Sequence, residues 1–394
     1  MTDSATLQTS HTGEFIALIE PEIRGNEWKY VRECLETGWV SSAGPFVDRF
    51  ERMIAQQCGC QHAVATVNGT SALHVALLVA GVQPDHEVLV STLTFIAPVN
   101  AIRYVGAWPV FVDAEPEYWQ MDPVGVAEFL EKGCNWRDGA LYNRRTGRRV
   151  TAVVPVHVLG HPVDLDPIVT VARRFNLKVI EDATEGLGAT YRGRPLGSIG
   201  DIGCFSFNGN KIITTGGGGM IVTSNEEWAR RAKYLTTQAK DDPIEYIHKE
   251  IGYNYRLTNI QAAMGCAQME QLETYVAAKR KIADRYTVAL RNIPGIVPMR
   301  QAPWAESTFW MYSVLIKERE FGFNSRQLLE TLAAQRIQCR PLWQPIHQSP
   351  AHALSRTAQL PVSERLSKEA LSLPCSVGLS EDAQERVIKQ ICER

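Results

Sequence analysis

The sequence predicts an α/β protein with a mostly parallel sheet covered by helices, followed by a smaller C-terminal α/β unit. Three observations predict it. Short apolar runs alternate with helical patterns between residues 62 and 181, the arrangement that gives parallel strands joined by crossover helices. After the glycine run 216–219 the alternation gives way to a long amphipathic helical stretch. A chain of 394 residues exceeds what one small core organises, so a large domain over residues 1–265 and a small one over 266–394 are expected.

Taken in order, Trp28, Val31 and Leu35 recur at helical spacing between Gly25 and Gly38, and a second helix is expected over about Val47–Gln57 after the loop 38–44. Strands are expected at His62–Val67, Glu87–Ser91, Pro109–Val112, Val150–His157 and Lys178–Glu181. Between them the periodicity predicts helices at Ser71–Ala80, Ala97–Val105, Val124–Lys132 and Asp166–Asn176. A long helix over Asn259–Asn292, a strand Phe309–Ile316 and helices Ser325–Gln335 and Glu381–Cys392 complete the pattern.

Composition excludes several classes. With 45% hydrophobic and 21% charged residues and a net charge of −2, the chain is ordinary for a soluble globular protein. The densest basic cluster, Arg144, Arg145, Arg148 and Arg149, surrounds Thr146-Gly147 as a solvated hairpin turn would, so no nucleic-acid partner is expected. The nine cysteines are scattered, and the Cys58/Cys60 pair lacks the C-x-x-C spacing of zinc and redox sites. Reduced thiols in a cytoplasmic protein are expected. Residues 1–14 are polar, unlike a signal peptide, and no apolar run reaches the roughly 18 residues of a spanning helix.

Chemistry concentrates at predicted strand ends. Lys211 is the one charged residue in the stretch from Gly203 to Met220, and a partly desolvated pocket makes a lysine amine a usable nucleophile. A surface lysine beside a flexible loop is the alternative. Glu181-Asp182 closes a predicted parallel strand, where open α/β sheets bind ligands. Asp182 is suited to keeping a pyridine ring nitrogen protonated, or to capping a following helix; Glu185 lies within reach of a ring hydroxyl. The turn Asn68-Gly69-Thr70-Ser71 opens a helix whose amides suit a phosphate. Phe95 is placed to stack on a planar ring, or to fill core.

Together these pieces, in this chain order, resemble fold-type I pyridoxal-phosphate enzymes, and specifically the DegT/StrS family of sugar-nucleotide aminotransferases. The resemblance runs through Gly25-Asn-Glu-Trp28, Thr37-Gly-Trp-Val-Ser-Ser42, Asn68-Gly-Thr-Ser71, Glu181-Asp182-Ala, Phe205-Ser-Phe207 with Lys211, Gly252-Tyr-Asn-Tyr-Arg256, Asn259-Ile-Gln-Ala262 and Leu373-Pro374. It implies that Lys211 carries pyridoxal 5'-phosphate as a Schiff base and that Asp182 meets the ring nitrogen. It further implies that Glu185 meets the ring hydroxyl, that Thr70, Ser71 and Ser206 hold the phosphate, and that Phe95 stacks on the ring. His157 matches a histidine near the cofactor, and Asn254 an asparagine that reaches the phosphate from a neighbouring subunit, so a homodimer with a shared site is implied. His161 is expected to pack rather than bind; no metal site is expected.

The resemblance implies amino transfer from L-glutamate to a nucleotide-linked ketosugar, with Lys211 as both base and acid. Some relatives carry histidine at the lysine position and act as dehydratases; this chain keeps the lysine. The stretches Thr37–Ser42, Asn208–Gly219 and Thr236–Asp242 with Glu245–His248 look most like 4-aminotransferases of the bacillosamine and legionaminic-acid routes, which favours UDP-4-keto-6-deoxy-N-acetylglucosamine. A GDP-4-keto-6-deoxymannose aminotransferase of the perosamine type, sharing Gly209-Asn210-Lys211, is the alternative, and a non-catalytic cofactor-binding regulator is a further one. Trp39, Ser41 and Arg256 are candidates for the sugar-nucleotide site, with Trp39 equally fitted to anchor its loop.

Overall fold

The computed structural model describes residues 14–242, 244–355 and 359–393, so the polar opening stretch lies outside them apart from Glu14. Its central sheet runs, edge to edge, His62–Thr66, Gly219–Thr223, Ile202–Ser206, Lys178–Asp182, Arg149–Val154, Glu87–Ser91 and Trp108–Val112. From Ile202–Ser206 onward the neighbours are parallel. Gly219–Thr223 is antiparallel to both its neighbours, because the segment 207–218 that precedes it holds no helix to carry the chain across. The sheet is therefore mixed. The arginine cluster does form a turn, which follows the hairpin Cys134–Arg137/Ala140–Asn143 and leads into Arg149–Val154.

Strand side chains divide between two cores. Leu89, Val153 and Val179 face one, while Val88, Val90, Ala152, Val154 and Ile180 face the other. Such two-sided burial follows from helices on both faces, and it is why these strands read as continuous apolar runs. A second, four-stranded antiparallel sheet, Ile296–Pro298, Tyr312–Ile316, Ala370–Leu373 and Arg340–Pro341, lies in the C-terminal part. Among the described residues no helix is long and apolar enough to cross a membrane.

Three expectations change. The helix Glu27–Thr37 forms, but its buried residues are Glu27, Tyr30 and Cys34; Trp28 and Leu35 stand 82% and 63% exposed. Polar pairing selects the inner face, since the Glu27 carboxylate accepts the Gly25 amide at 2.7 Å and the Gln268 side chain at 2.6 Å. The long helix is two, Asn259–Met269 and Leu272–Leu290. At the break, Glu270 is drawn away to Asn26, Tyr30 and Arg49. The strand expected from Phe309 begins at Tyr312, because Phe309 sits at φ 49°, outside extended backbone.

Asn259 ties the loop 38–46 to this frame. Its side chain accepts the Phe46 amide at 3.0 Å and donates to the Trp39 carbonyl at 2.8 Å, while its own amide donates to the Ser41 carbonyl at 2.6 Å. It is buried, so Asn259→Ala strands a donor and an acceptor and should cost about 2–4 kcal/mol. Urea denaturation of cofactor-free protein measures this; a loss below about 1 kcal/mol would mean the loop is held by other contacts.

Candidate active site

The C-terminal ends of the parallel strands meet in one crevice, as open α/β sheets dictate. Asp182 ends Lys178–Asp182, Ser206 ends Ile202–Ser206, and Thr94-Phe95 follow Glu87–Ser91. They line a cavity of about 430 Å³, together with Gly69, Thr70, Glu185 and Lys211.

Alternation along the strand separates the acidic pair. Glu181, fully buried, accepts the amides of Gly197 at 2.8 Å, Ile199 at 2.7 Å and Gly200 at 2.6 Å. Burial opposes its ionisation, but His157 and these amides outweigh that and hold the carboxyl below its ordinary range. Asp182 takes the cavity side instead. Burial raises it, opposed by Thr184 and by the charge of Lys211. It accepts the Thr184 amide at 3.2 Å within a turn; no helix follows there, so the capping alternative fails.

Glu185 stands across from the lysine. One oxygen lies 3.5 Å from Lys211 Nζ and the other accepts the Leu159 amide at 2.8 Å. Burial raises its pKa, and the lysine charge and that amide work against the rise. Lys211 is no surface lysine, with its side chain 13% exposed. Its Nζ lies 4.3 Å from the ring centre of Trp310, whose indole N–H donates to the Asn210 carbonyl at 2.6 Å.

The turn before the helix Gly69–Val79 is set by Asn68, whose side chain accepts the Ser71 amide at 2.8 Å. Gly69 and Thr70 then line the cavity while Ser71 is buried behind them. Phe95 lines the wall at 56% exposure, so it is not core.

Other expected residues stand off the wall. His157 is fully buried behind it: Nδ1 accepts the Val163 amide at 3.1 Å, so the ring proton is on Nε2, 3.1 Å from Glu181. Both nitrogens are engaged by this chain's own groups, and the ring is outside the lining. His161 packs, as expected: Nε2 accepts the Ala302 amide at 3.0 Å, and burial takes its pKa down to about 4. Asn254 is exposed, and Trp39, Ser41 and Arg256 are outside the lining. Asn208, Asn210, Trp310 and Trp343 belong to the wall but were not singled out individually. The asparagines flank Lys211 and were within reach of the motif; the tryptophans come from far along the chain and carry no local signal.

An amine, two carboxyls, an aromatic ring, and a helix N-terminus with the Thr70 and Ser206 hydroxyls on one cavity wall suit a flat pyridine aldehyde bearing a phosphate. The comparisons agree. Residues 21–392 match the model of the DegT/DnrJ/EryC1/StrS aminotransferase family. The chain is 42% identical to the GDP-perosamine synthase of Caulobacter vibrioides over 95% of its length and 96% of that protein. It is 40% identical to that of Escherichia coli O157:H7, over 96% and 97%. The crystal structure of DesI, solved in the presence of its TDP-sugar product, superposes with a TM-score of 0.87 at 28% identity, covering 97% of this chain and 93% of that one. The chain belongs to the DegT/DnrJ/EryC1/StrS aminotransferase family, and is a pyridoxal-phosphate-dependent sugar aminotransferase of fold-type I.

A Cβ on Gly219 would lie 2.5 Å from the Asn68 carbonyl, whereas one on Gly217 would meet nothing nearer than Gln261 at 3.7 Å. Gly219→Ala should therefore push the Asn68 turn out of place and weaken pyridoxal-phosphate binding about tenfold or more, with Gly217→Ala near wild type. Titration of both apoproteins with the cofactor distinguishes them; equal affinities would refute the turn as a phosphate seat.

Proposed function

We propose that the enzyme moves the amino group of glutamate to C4 of a GDP-linked 4-keto-6-deoxyhexose, with Lys211 as its proton-moving residue. The carrying observation is Lys211 Nζ held 3.5 Å from Glu185 in the cavity that Asp182 also lines, in a chain with 42% and 40% identity to two GDP-perosamine synthases. That likeness, spread over nearly the whole chain, favours the GDP-linked sugar over the UDP-linked N-acetylated one that the local motifs preferred.

The cofactor supplies a carbonyl that carries nitrogen between the substrates and a ring that accepts electron density. Asp182 holds its ring nitrogen protonated, an opposite charge in a water-poor site being strongly favoured. The Gly69 and Thr70 amides at the helix N-terminus, with the Thr70 and Ser206 hydroxyls, hold the phosphate. Ser71 supports that turn from behind. Phe95 covers one ring face, and Glu185 meets the ring hydroxyl. Lys211 removes the proton at the donor's α-carbon in the first half and delivers one at the sugar's C4 in the second, base and then acid.

Asn254 is assigned to the phosphate of a second copy, making the working unit a dimer. Support comes from the exposed apolar side chains around it (Ile244, Tyr246 and Ile251) and from Trp28 and Leu35. Arg256, whose Nε is buried without a hydrogen-bond partner among the described residues, joins Trp39 and Ser41 as candidates for the nucleotide across that interface. A cytoplasmic location fits substrates drawn from metabolite pools.

Purified enzyme with glutamate and GDP-4-keto-6-deoxymannose should release 2-oxoglutarate and give a GDP-linked 4-amino sugar, identified by mass and NMR. Lys211→Ala and Lys211→Arg should lose both this turnover and the visible absorbance of the loaded protein. Amination of a UDP-linked N-acetylated 4-ketosugar alone would overturn the nucleotide assignment; activity surviving either substitution would overturn the role of Lys211.

A further inference from the structure

The cofactor residues account for one part of the cavity wall. What remains includes Pro98, Asn208, Asn210, Trp310 and Trp343. Its composition is informative. Among the described residues Lys211 is the one cation on the wall, and it faces the carboxyls of Asp182 and Glu185. A diphosphate or a dicarboxylate would find no counter-charge of this chain there. Aromatic and amide groups, in contrast, suit a neutral polyhydroxylated ring, whose C–H face lies flat on an indole while its hydroxyls meet amides.

The two indoles differ in what they have left to offer. Trp310 donates its N–H to the Asn210 carbonyl and carries Lys211 Nζ over its face. Trp343 is half-buried against the core, and neither its ring nor its N–H is engaged in a ring contact or hydrogen bond among the described residues. Its loop is nonetheless fixed. Three residues on, Ile346 donates its amide to the Thr92 carbonyl at 2.9 Å. His347 joins Thr92 Oγ1 at 2.8 Å to Glu364 at 3.1 Å. Thr92 begins the segment that ends in Phe95, so Trp343 is anchored against the very strand end that carries the expected stacking ring. On the same wall, the Asn208 and Asn210 side chains touch each other at 3.4 Å, leaving the Asn208 side-chain oxygen and the Asn210 amide N–H groups for a ligand.

We propose that Trp343, with Asn208 and Asn210, forms the subsite for the neutral hexose ring of the acceptor, and that it serves the acceptor half of the reaction and not the donor half. The 6-deoxy carbon of such a sugar adds to the apolar surface an indole covers. The assignment rests on the aminotransferase reading above and deepens it by naming what grips the sugar.

The two halves can be measured apart. Single-turnover release of 2-oxoglutarate from loaded enzyme and glutamate, without sugar, reports the donor half. Addition of the 4-ketosugar nucleotide to enzyme freed of excess glutamate reports the acceptor half. Trp343→Ala should leave the donor half within about twofold and raise the half-saturating sugar concentration about tenfold or more, with Trp343→Phe recovering most of the loss. Equal slowing of both halves, or no change in either, would overturn the subsite. The comparison uses whichever 4-ketosugar the wild type accepts, so a wrong nucleotide overturns the earlier assignment and leaves this test in force. A wild type that completes neither half overturns both.

Discussion

Everything in this structure that concerns chemistry depends on keeping three ionisable side chains together out of water. Lys211, Asp182 and Glu185 share one crevice, and a charge there is costly unless it is paired or hydrogen-bonded. One amine faces two carboxyls, so pairing alone leaves an excess of negative charge. Burial pushes both carboxyls up, and backbone amides offset part of this, Thr184 for Asp182 and Leu159 for Glu185. A ligand bearing a protonable ring nitrogen beside Asp182 would neutralise the remainder. The site is thus electrostatically incomplete in a way that a protonated pyridine completes.

The amide aimed at Glu185 has its own requirement. Leu159 adopts φ 63°, which a branched side chain rarely does, and such backbone persists only when its surroundings over-determine it. Here they do. The next carbonyl, of Gly160, receives the Thr308 amide at 3.1 Å and the Ser307 hydroxyl at 3.0 Å, and His161 accepts the Ala302 amide. One short loop therefore fastens the 302–310 segment to the central sheet, and that segment ends in the indole beneath Lys211. Docking of the C-terminal part and the placing of Glu185 depend on the same loop, which supplies both sets of hydrogen bonds.

How much was legible in the sequence follows from the range of the interactions. Strands such as Glu87–Ser91 were readable because burial on both faces makes an apolar run that needs no partner to be identified. Lys211 and Asp182 were readable because each stands at a strand end in an unusual local composition. Periodicity failed for the first helix: it counts apolar residues, while the buried face was chosen by Glu27 and its partner Gln268, distant in sequence. The His157 ring is likewise beyond local reading, since its direction depends on Glu181 and the Val163 amide. Trp310 and Trp343 reach the cavity through tertiary contacts alone, so no local pattern could have marked them.

The same distinction explains why short motifs favoured the UDP-linked sugar and whole-chain likeness the GDP-linked one. Residues from Asn208 to Gly219 set the lysine, the adjoining carbonyl that receives Trp310, and the glycines that let the Asn68 turn approach. These are demands of the cofactor and its reacting carbon, and any nucleotide would leave them unchanged. A nucleotide held outside this chain's own lining, as proposed for Trp39, Ser41 and Arg256, would touch none of these residues. A motif that touches only the reacting end therefore holds little information about the far end of the substrate. Likeness over the whole chain includes segments outside that lining, and for choosing the nucleotide it is the stronger physical argument.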